Sequence, residues 1–326
     1  MSYGDLIRDA FQITLRNRFL WFFGFFAGSA FFNFPSGGGN FDADDFDRSG
    51  AGPSALVAQV GPGIFDNAAL IVGLVVVVLL IALLFIIMAI ISQGALSESV
   101  AAIDRGEGRR FGSTFRAGLR TFWRVLGYYL LFFLIGIGLL VAIGVPVALV
   151  IGGTFAATQS TGARVIVAVL AGLAAVALII LIFIPLHIIS QYALREVVVR
   201  RARVFGSVGS GYGVFRRNLG RSLLLWLIHI GLMIGIGIAL LVAVLLVGLV
   251  LFIPTIALAL AEYSTAAIVT GVIAGLILLP ILLVASGAAG TFGHAYWTLA
   301  YLRLTTPTET APTETGPPPG PSPAVG

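Results

Sequence analysis

The chain contains three histidines, His187, His229 and His294, and all three lie inside long hydrophobic runs. His187 precedes Arg195 by eight residues, His229 follows Arg221 by eight, and His294 precedes Arg303 by nine. At ~1.5 Å of helical rise per residue each imidazole lies ~12 to 14 Å inside an arginine boundary on the same side, a common depth that permits convergence. Three imidazoles can hold zinc with an open coordination position, the arrangement of a metalloenzyme. A histidine between apolar helices more often hydrogen-bonds across the contact, and no Asp or Glu stands in sequence where it would assist a metal-bound water. The three remain metal candidates, with no catalytic residue and no cofactor assigned.

Other polar groups in these runs are few. Gln93 and Gln191, each preceded by a serine (Ser92, Ser190), are intramembrane polar residues that lock helices together or line a route. Glu98 and Glu196, five residues further on, are within reach of arginines. No Arg, Lys or Asp is expected within the runs, and Glu98, Glu196 and Glu262 sit at their ends. Ion-coupled carriers place ionisable groups inside their spans, so this pattern argues against such a carrier. It also argues against an intramembrane hydrolase with an acid–base pair. The absence of cysteine excludes disulfides and thiolate metal sites, and with all 19 basic residues arginine a lysine-bearing phosphate loop is excluded too. Asp45, Asp47, Ser49 and Gly50 begin like a calcium loop, but Leu56 occupies the position that needs a Glu, leaving a solvated acidic run. Gly206, Gly209, Gly211 and Gly213 read as a flexible joint.

The elements that must carry these residues follow from composition. Hydrophobic residues make up 59% of the 326 and charged ones 10%, where an ordinary soluble domain has about 25%. Apolar runs fall at about residues 19–34, 68–96, 125–155, 165–194, 223–261 and 266–302, predicting six membrane-spanning helices, with Pro146 and Pro254 marking breaks. Seventeen of the nineteen arginines flank these runs on one side, leaving Arg48 and Arg164 opposite. Basic flanks stay cytoplasmic, which predicts a multi-pass protein of the cell membrane with both termini in the cytoplasm. The same distribution, bracketing spans rather than forming one basic domain, argues against nucleic-acid binding.

An internal repeat organises the spans. Phe11 and Leu15, Phe115 and Leu119, and Phe215 and Leu219 recur just ahead of alternate spans, and in the second copy Arg116, Arg120 and Arg124 line another face of the helix. The eleven residues 90–100 and 188–198 share eight identities, Ser-Gln and Ala-Leu among them, and Ile-Gly-Ile-Gly recurs at 135–138 and 234–237. The expected architecture is an all-α integral membrane domain over 1–304. It comprises three parallel two-span repeats (about 1–108, 109–204 and 205–304), each preceded by an interfacial amphipathic helix. Anionic lipid would be met by Arg109, Arg110, Arg116, Arg120 and Arg124, and by Arg200, Arg201, Arg203, Arg216, Arg217 and Arg221. Residues 305–326 hold seven of the 14 prolines and should form a disordered tail.

Tyr3-Gly4-Asp5-Leu6 through Phe11, Leu15-Arg16-Asn17 and Trp21, with Gln93-Gly94-Ala95-Leu96 through Phe111-Gly112 and Phe115-Arg116, resemble a widespread group of uncharacterised prokaryotic multi-pass proteins. Some of that group are labelled as the membrane domain found beside glycerophosphoryl diester phosphodiesterases. The resemblance implies a helical membrane module without catalytic residues, since that chemistry belongs to a soluble domain missing here. The leading expectation is a non-enzymatic scaffold or assembly module on anionic lipid, with an unidentified protein partner. The alternative is a transport subunit for a small or lipidic molecule, routed past His187, His229, Gln93 and Gln191. A lipid-modifying metalloenzyme at the histidines is the third.

Overall fold

A computed structural model describes residues 2–28 and 68–306, all of whose regular structure is helical. The outer loop with its acidic run, Arg48, the end of the first apolar run and the proline-rich tail from 307 onward lie outside the described residues. Eight helices are described: α1 (Tyr3–Arg16), α2 (Leu20–Gly28), α3 (Ala68–Asp104), α4 (Phe111–Ala157), α5 (Thr161–Val198), α6 (Val204–Arg217), α7 (Leu219–Leu260) and α8 (Ser264–Thr305). Five of them, α3, α4, α5, α7 and α8, are long and apolar enough to cross a membrane. The first apolar run contributes α2, whose nine residues rise only ~14 Å.

Local chemistry sets where helices stop. Ser2 caps α1, Asp5 lies in its first turn and Arg16 in its last, both signs complementing the helix dipole. Asn17 ends α1 by donating from Nδ2 to the Ile13 carbonyl at 2.9 Å, and Asn218 donates in the same way to Val214 at 3.3 Å at the end of α6. Between Phe111 and Val125 no such residue intervenes, so the expected second interfacial helix is simply the start of the unbroken, 47-residue α4. Pro146 and Pro254 do not break α4 or α7, which run through them. In hydrocarbon a broken helix would strand backbone groups that nothing else can satisfy. Gly106, at φ 83°, closes α3: its N–H donates to Ile103 and that of Glu107 to Ala102, both at 2.9 Å. At the other end, Arg164 ties the α4–α5 turn by donating to the Phe155 and Thr158 carbonyls at 2.8 Å. Ser160 caps α5, but Ser264 is itself the first residue of α8 and does not cap it.

The buried core lies towards the arginine-bearing end, where the last turns of α3, α5 and α8 meet. Leu96, Val100, Ile188, Tyr192, Tyr296 and Tyr301 pack there against Leu6, Leu20 and Phe23 from α1 and α2. Tyrosines latch neighbouring helices: Tyr128 donates to the Ser190 carbonyl at 2.9 Å, Tyr192 to Ser222 Oγ at 3.1 Å and Tyr296 to the Leu225 carbonyl at 2.8 Å. Phe111, at the start of α4 and still partly exposed, meets Phe23 of α2 at 5.1 Å between ring centroids. The chain's two described ends join through an ion pair between Asp9 and Arg303. Beyond this core the long helices expose continuous Leu, Ile and Val surface over residues 70–86, 130–150, 165–181 and 234–284, which hydrocarbon would cover.

Of the three Gly-x-x-x-Gly spacings that lie within the apolar runs, Gly24–Gly28 alone has both glycines against another helix's backbone among the described residues, while Gly271 of another meets only the Thr255 side chain. A Cβ on Gly24 would collide with the Gly287 carbonyl, and Gly28 faces Gly290. Gly231, Gly235 and Gly275 face open space.

Candidate functional site

His187, Gln191 and Arg195 fall at i, i+4 and i+8 of α5 and therefore share one face. Facing them across a cavity of about 950 Å³ are His229, Ile230 and Met233 of α7 and Gly293, His294 and Trp297 of α8, with Gln93 of α3 and Tyr128 of α4 completing the wall. The packing of α5 against α7 is slight, and the cavity occupies the gap. Its outer wall is apolar, formed by Ile179, Ile180, Phe183, Ile234 and Leu240. No Asp or Glu lines it.

The three histidines thus share one cavity, and Trp297 stands among them. The His187 ring meets Trp297 edge-on at 6.1 Å, while His229 lies 5.4 Å from Trp297 and stacks on Tyr296 at 5.3 Å. Among the described residues no three His, Asp or Glu side chains are grouped closely enough to hold a metal ion. Each imidazole Nδ1 is buried without a hydrogen-bond partner.

The two glutamines behave differently. Gln93 Nε2 donates across the bundle to the Ala27 carbonyl at 2.9 Å, locking α3 to α2, while its Oε1 has no partner. Gln191 Oε1 instead accepts from Arg195 Nη1 at 2.6 Å. Glu196 is buried, accepting from the Tyr301 hydroxyl at 2.7 Å with Arg200 Nη1 at 3.7 Å.

Arg195, the residue that follows the fourth apolar run, is turned into the protein and not out to its surface. It is fully buried, its Nη1 also donates to the Gln191 carbonyl at 2.9 Å, and its Nε and Nη2 have no partner. Reading Arg195 as a boundary residue missed it, although its register with His187 and Gln191 was a usable signal. The eleven arginines expected at the lipid surface lie elsewhere: Arg110, Arg116, Arg120, Arg124, Arg200, Arg201, Arg203, Arg216, Arg217 and Arg221 are exposed, and Arg109 is half-buried. Arg105 and Arg109 both pair with Glu107, at 2.8 and 3.2 Å, and the hydrogen bond from Arg105 holds its carboxyl below the usual carboxylate range.

No curated protein and no solved structure matches the chain. A family model described as a family of unknown function (DUF7544) matches residues 12–308, and that description carries no link to glycerophosphoryl diester phosphodiesterases. With most of its length, and every residue of the cavity wall, inside that match, the chain belongs to this family of unknown function.

Proposed function

We propose that this protein is a six-span component of the cell membrane whose cavity takes up a small or lipidic molecule, as a binding or transport subunit and not as an enzyme. The observation that carries the reading is the convergence on one cavity of His187, Gln191, His229, His294 and Gln93, residues spread over two hundred positions of sequence. Ligand cavities of roughly 300–1,000 Å³ with apolar walls and a few polar groups are the usual form of a binding site. A gap between weakly packed α5 and α7 supplies a sideways entrance from lipid.

The proposed frame is a ring of three parallel two-span units. Gly118 of α4 sits against the Ile91 carbonyl and Ala95 of α3, and Gly211 of α6 sits against the Ile189 carbonyl and Ala193 of α5. These partners are equivalent positions of the eight-identity repeat, so each unit's returning helix supports the next unit's first helix in the same way. Contact of α8 with α1 and α2 closes the circle, through Asp9–Arg303 and Thr291 Oγ1 donating to the Leu20 carbonyl at 3.0 Å. The arginine asymmetry puts both ends in the cytoplasm.

A second reading, a scaffold on anionic lipid, draws support from the ten exposed arginines. The experiment that separates the two is extraction of the detergent-purified chain, followed by mass spectrometry of what was bound. One molecule per chain is expected, displaced by Ala289→Trp, which fills the cavity from α8. A wild-type protein carrying nothing beyond what its Ala289→Trp variant carries would leave the scaffold as the function.

A further inference from the structure

The charge on Arg195 has no counter-charge in the cavity. An arginine stays protonated in a protein, so it cannot relieve burial by losing its proton. The adjacent carboxylate, Glu196, is turned away and engaged by Tyr301 and Arg200. Tyr128 and Tyr192, which also surround this end of α5, direct their hydroxyl hydrogens to the Ser190 carbonyl and to Ser222. A buried cation left uncompensated is costly, and membrane proteins retain such residues where they act on a ligand or pathway.

The geometry of the guanidinium says what compensates it. Gln191 takes Nη1 twice, through Oε1 at 2.6 Å and the main-chain carbonyl at 2.9 Å, which fixes the plane of the group. What remains unpaired is Nε and Nη2. Those two N–H groups lie parallel on one edge of the guanidinium, the fork that receives two oxygens of one phosphate or carboxylate. From Arg195 back to Ile180, α5 rises ~22 Å along the cavity, a large part of a ~30 Å hydrocarbon core. That stretch presents Ile184, Phe183 and Ile180 opposite Ile234 of α7. A site with one buried cation at the arginine-bearing end and an apolar wall leading away from it matches an amphiphile.

We infer that Arg195 anchors the headgroup of an anionic lipid, whose phosphate monoester or carboxylate pairs with Nε and Nη2 while its acyl chain runs between α5 and α7. This rests on the cavity being a binding site and names the chemical class that it selects. Gln191 is the positioning residue. A free anion would use the same fork without the apolar wall, so the test separates the two sources.

The test uses the full chain in neutral detergent, mixed with dioleoyl phosphatidic acid, oleate, dioleoyl phosphatidylcholine or inorganic phosphate, and read by native mass spectrometry. One phosphatidic acid or one oleate per chain is expected, with phosphatidylcholine bound at least tenfold more weakly, a factor worth about 1.4 kcal/mol. Arg195→Gln should lose roughly tenfold or more in affinity for both anionic lipids. Arg195→Lys, which keeps the charge but not the fork, should fall between, and the triple change of Arg116, Arg120 and Arg124 to Gln should have no effect. Equal retention of phosphatidic acid and phosphatidylcholine by the wild type overturns the anion anchor and leaves the cavity reading standing. That comparison holds even if an Arg195 variant does not fold. Retention of no lipid at all overturns the lipid anchor, while the cavity reading then stands or falls by what the purified chain carries relative to its Ala289→Trp variant. Arg195-dependent binding of inorganic phosphate as tight as that of phosphatidic acid overturns the lipid assignment, and anion binding abolished only by the triple change moves the site to the surface.

Discussion

Arg195 and Gln191, one turn apart on α5, hold each other: Nη1 of the arginine donates to the glutamine Oε1 at 2.6 Å, while the other edge of the guanidinium stays unpaired inside the protein. A buried charge paired only with a neutral amide opposes folding. Arg195→Leu should therefore raise the melting temperature of the lipid-free protein, by a stabilisation on the order of 1–4 kcal/mol. Gln191→Leu should lower it, by about 1–3 kcal/mol, because one N–H of Nη1 then loses its acceptor and only the main-chain carbonyl of residue 191 remains to the guanidinium. Thermal unfolding in detergent followed by circular dichroism checks both signs. An Arg195→Leu protein less stable than the wild type would mean that the guanidinium is compensated within the chain.

Close helix contacts make a second, contrasting pair of expectations. Gly118→Leu drives a side chain into the Ile91 carbonyl, whereas Gly136→Leu, on the same helix, meets open space. The first should destabilise by about 1–3 kcal/mol or more, and the second should lie within about 0.5 kcal/mol of wild type. Equal unfolding temperatures for the two variants would contradict the packing of α4 on α3.

The orientation can be read with single cysteines, since the chain has none of its own. Gly108→Cys and Ser210→Cys lie exposed at the arginine-bearing end, and Gln159→Cys lies exposed at the other. In intact cells an impermeant thiol reagent should label Gln159→Cys alone. Labelling of Gly108→Cys or Ser210→Cys instead would reverse the orientation.

Glu107 supplies a pH expectation outside the spans. Its folded pKa is depressed below the usual 4.5, chiefly by the hydrogen bond from Arg105, so its contribution is present above about 4.5 and lost as pH falls through the lowered value. A spin label at Gly108→Cys should keep constant mobility from pH 8 to 5 and loosen only below that, while Glu107→Gln should leave it loose throughout. Loosening already between pH 7 and 5 would show that other groups hold this turn.

How far the sequence alone determines this protein depends on which interactions are local. Helix and membrane character follow from runs of apolar residues longer than a bilayer is thick, and the five long helices lie where those runs lie. Asn17 and Gly106 end helices through bonds to their own neighbours, so such stops are written nearby in the chain. Tertiary structure alone decided the rest. Gly24 and Gly231 both begin the same spacing, yet only Gly24 meets another helix, because a small residue matters only where a second backbone approaches. The shared depth of the three histidines permitted convergence, but Trp297, set among them by the packing of α8 against α5 and α7, decided how they meet. Arg195 reads in sequence like any arginine that closes a span. Whether it turns outward to headgroups or inward to a cavity depends on what packs over its helix face, and here α4, α7 and α8 enclose it, with only Gln191 supplying acceptors from its own helix.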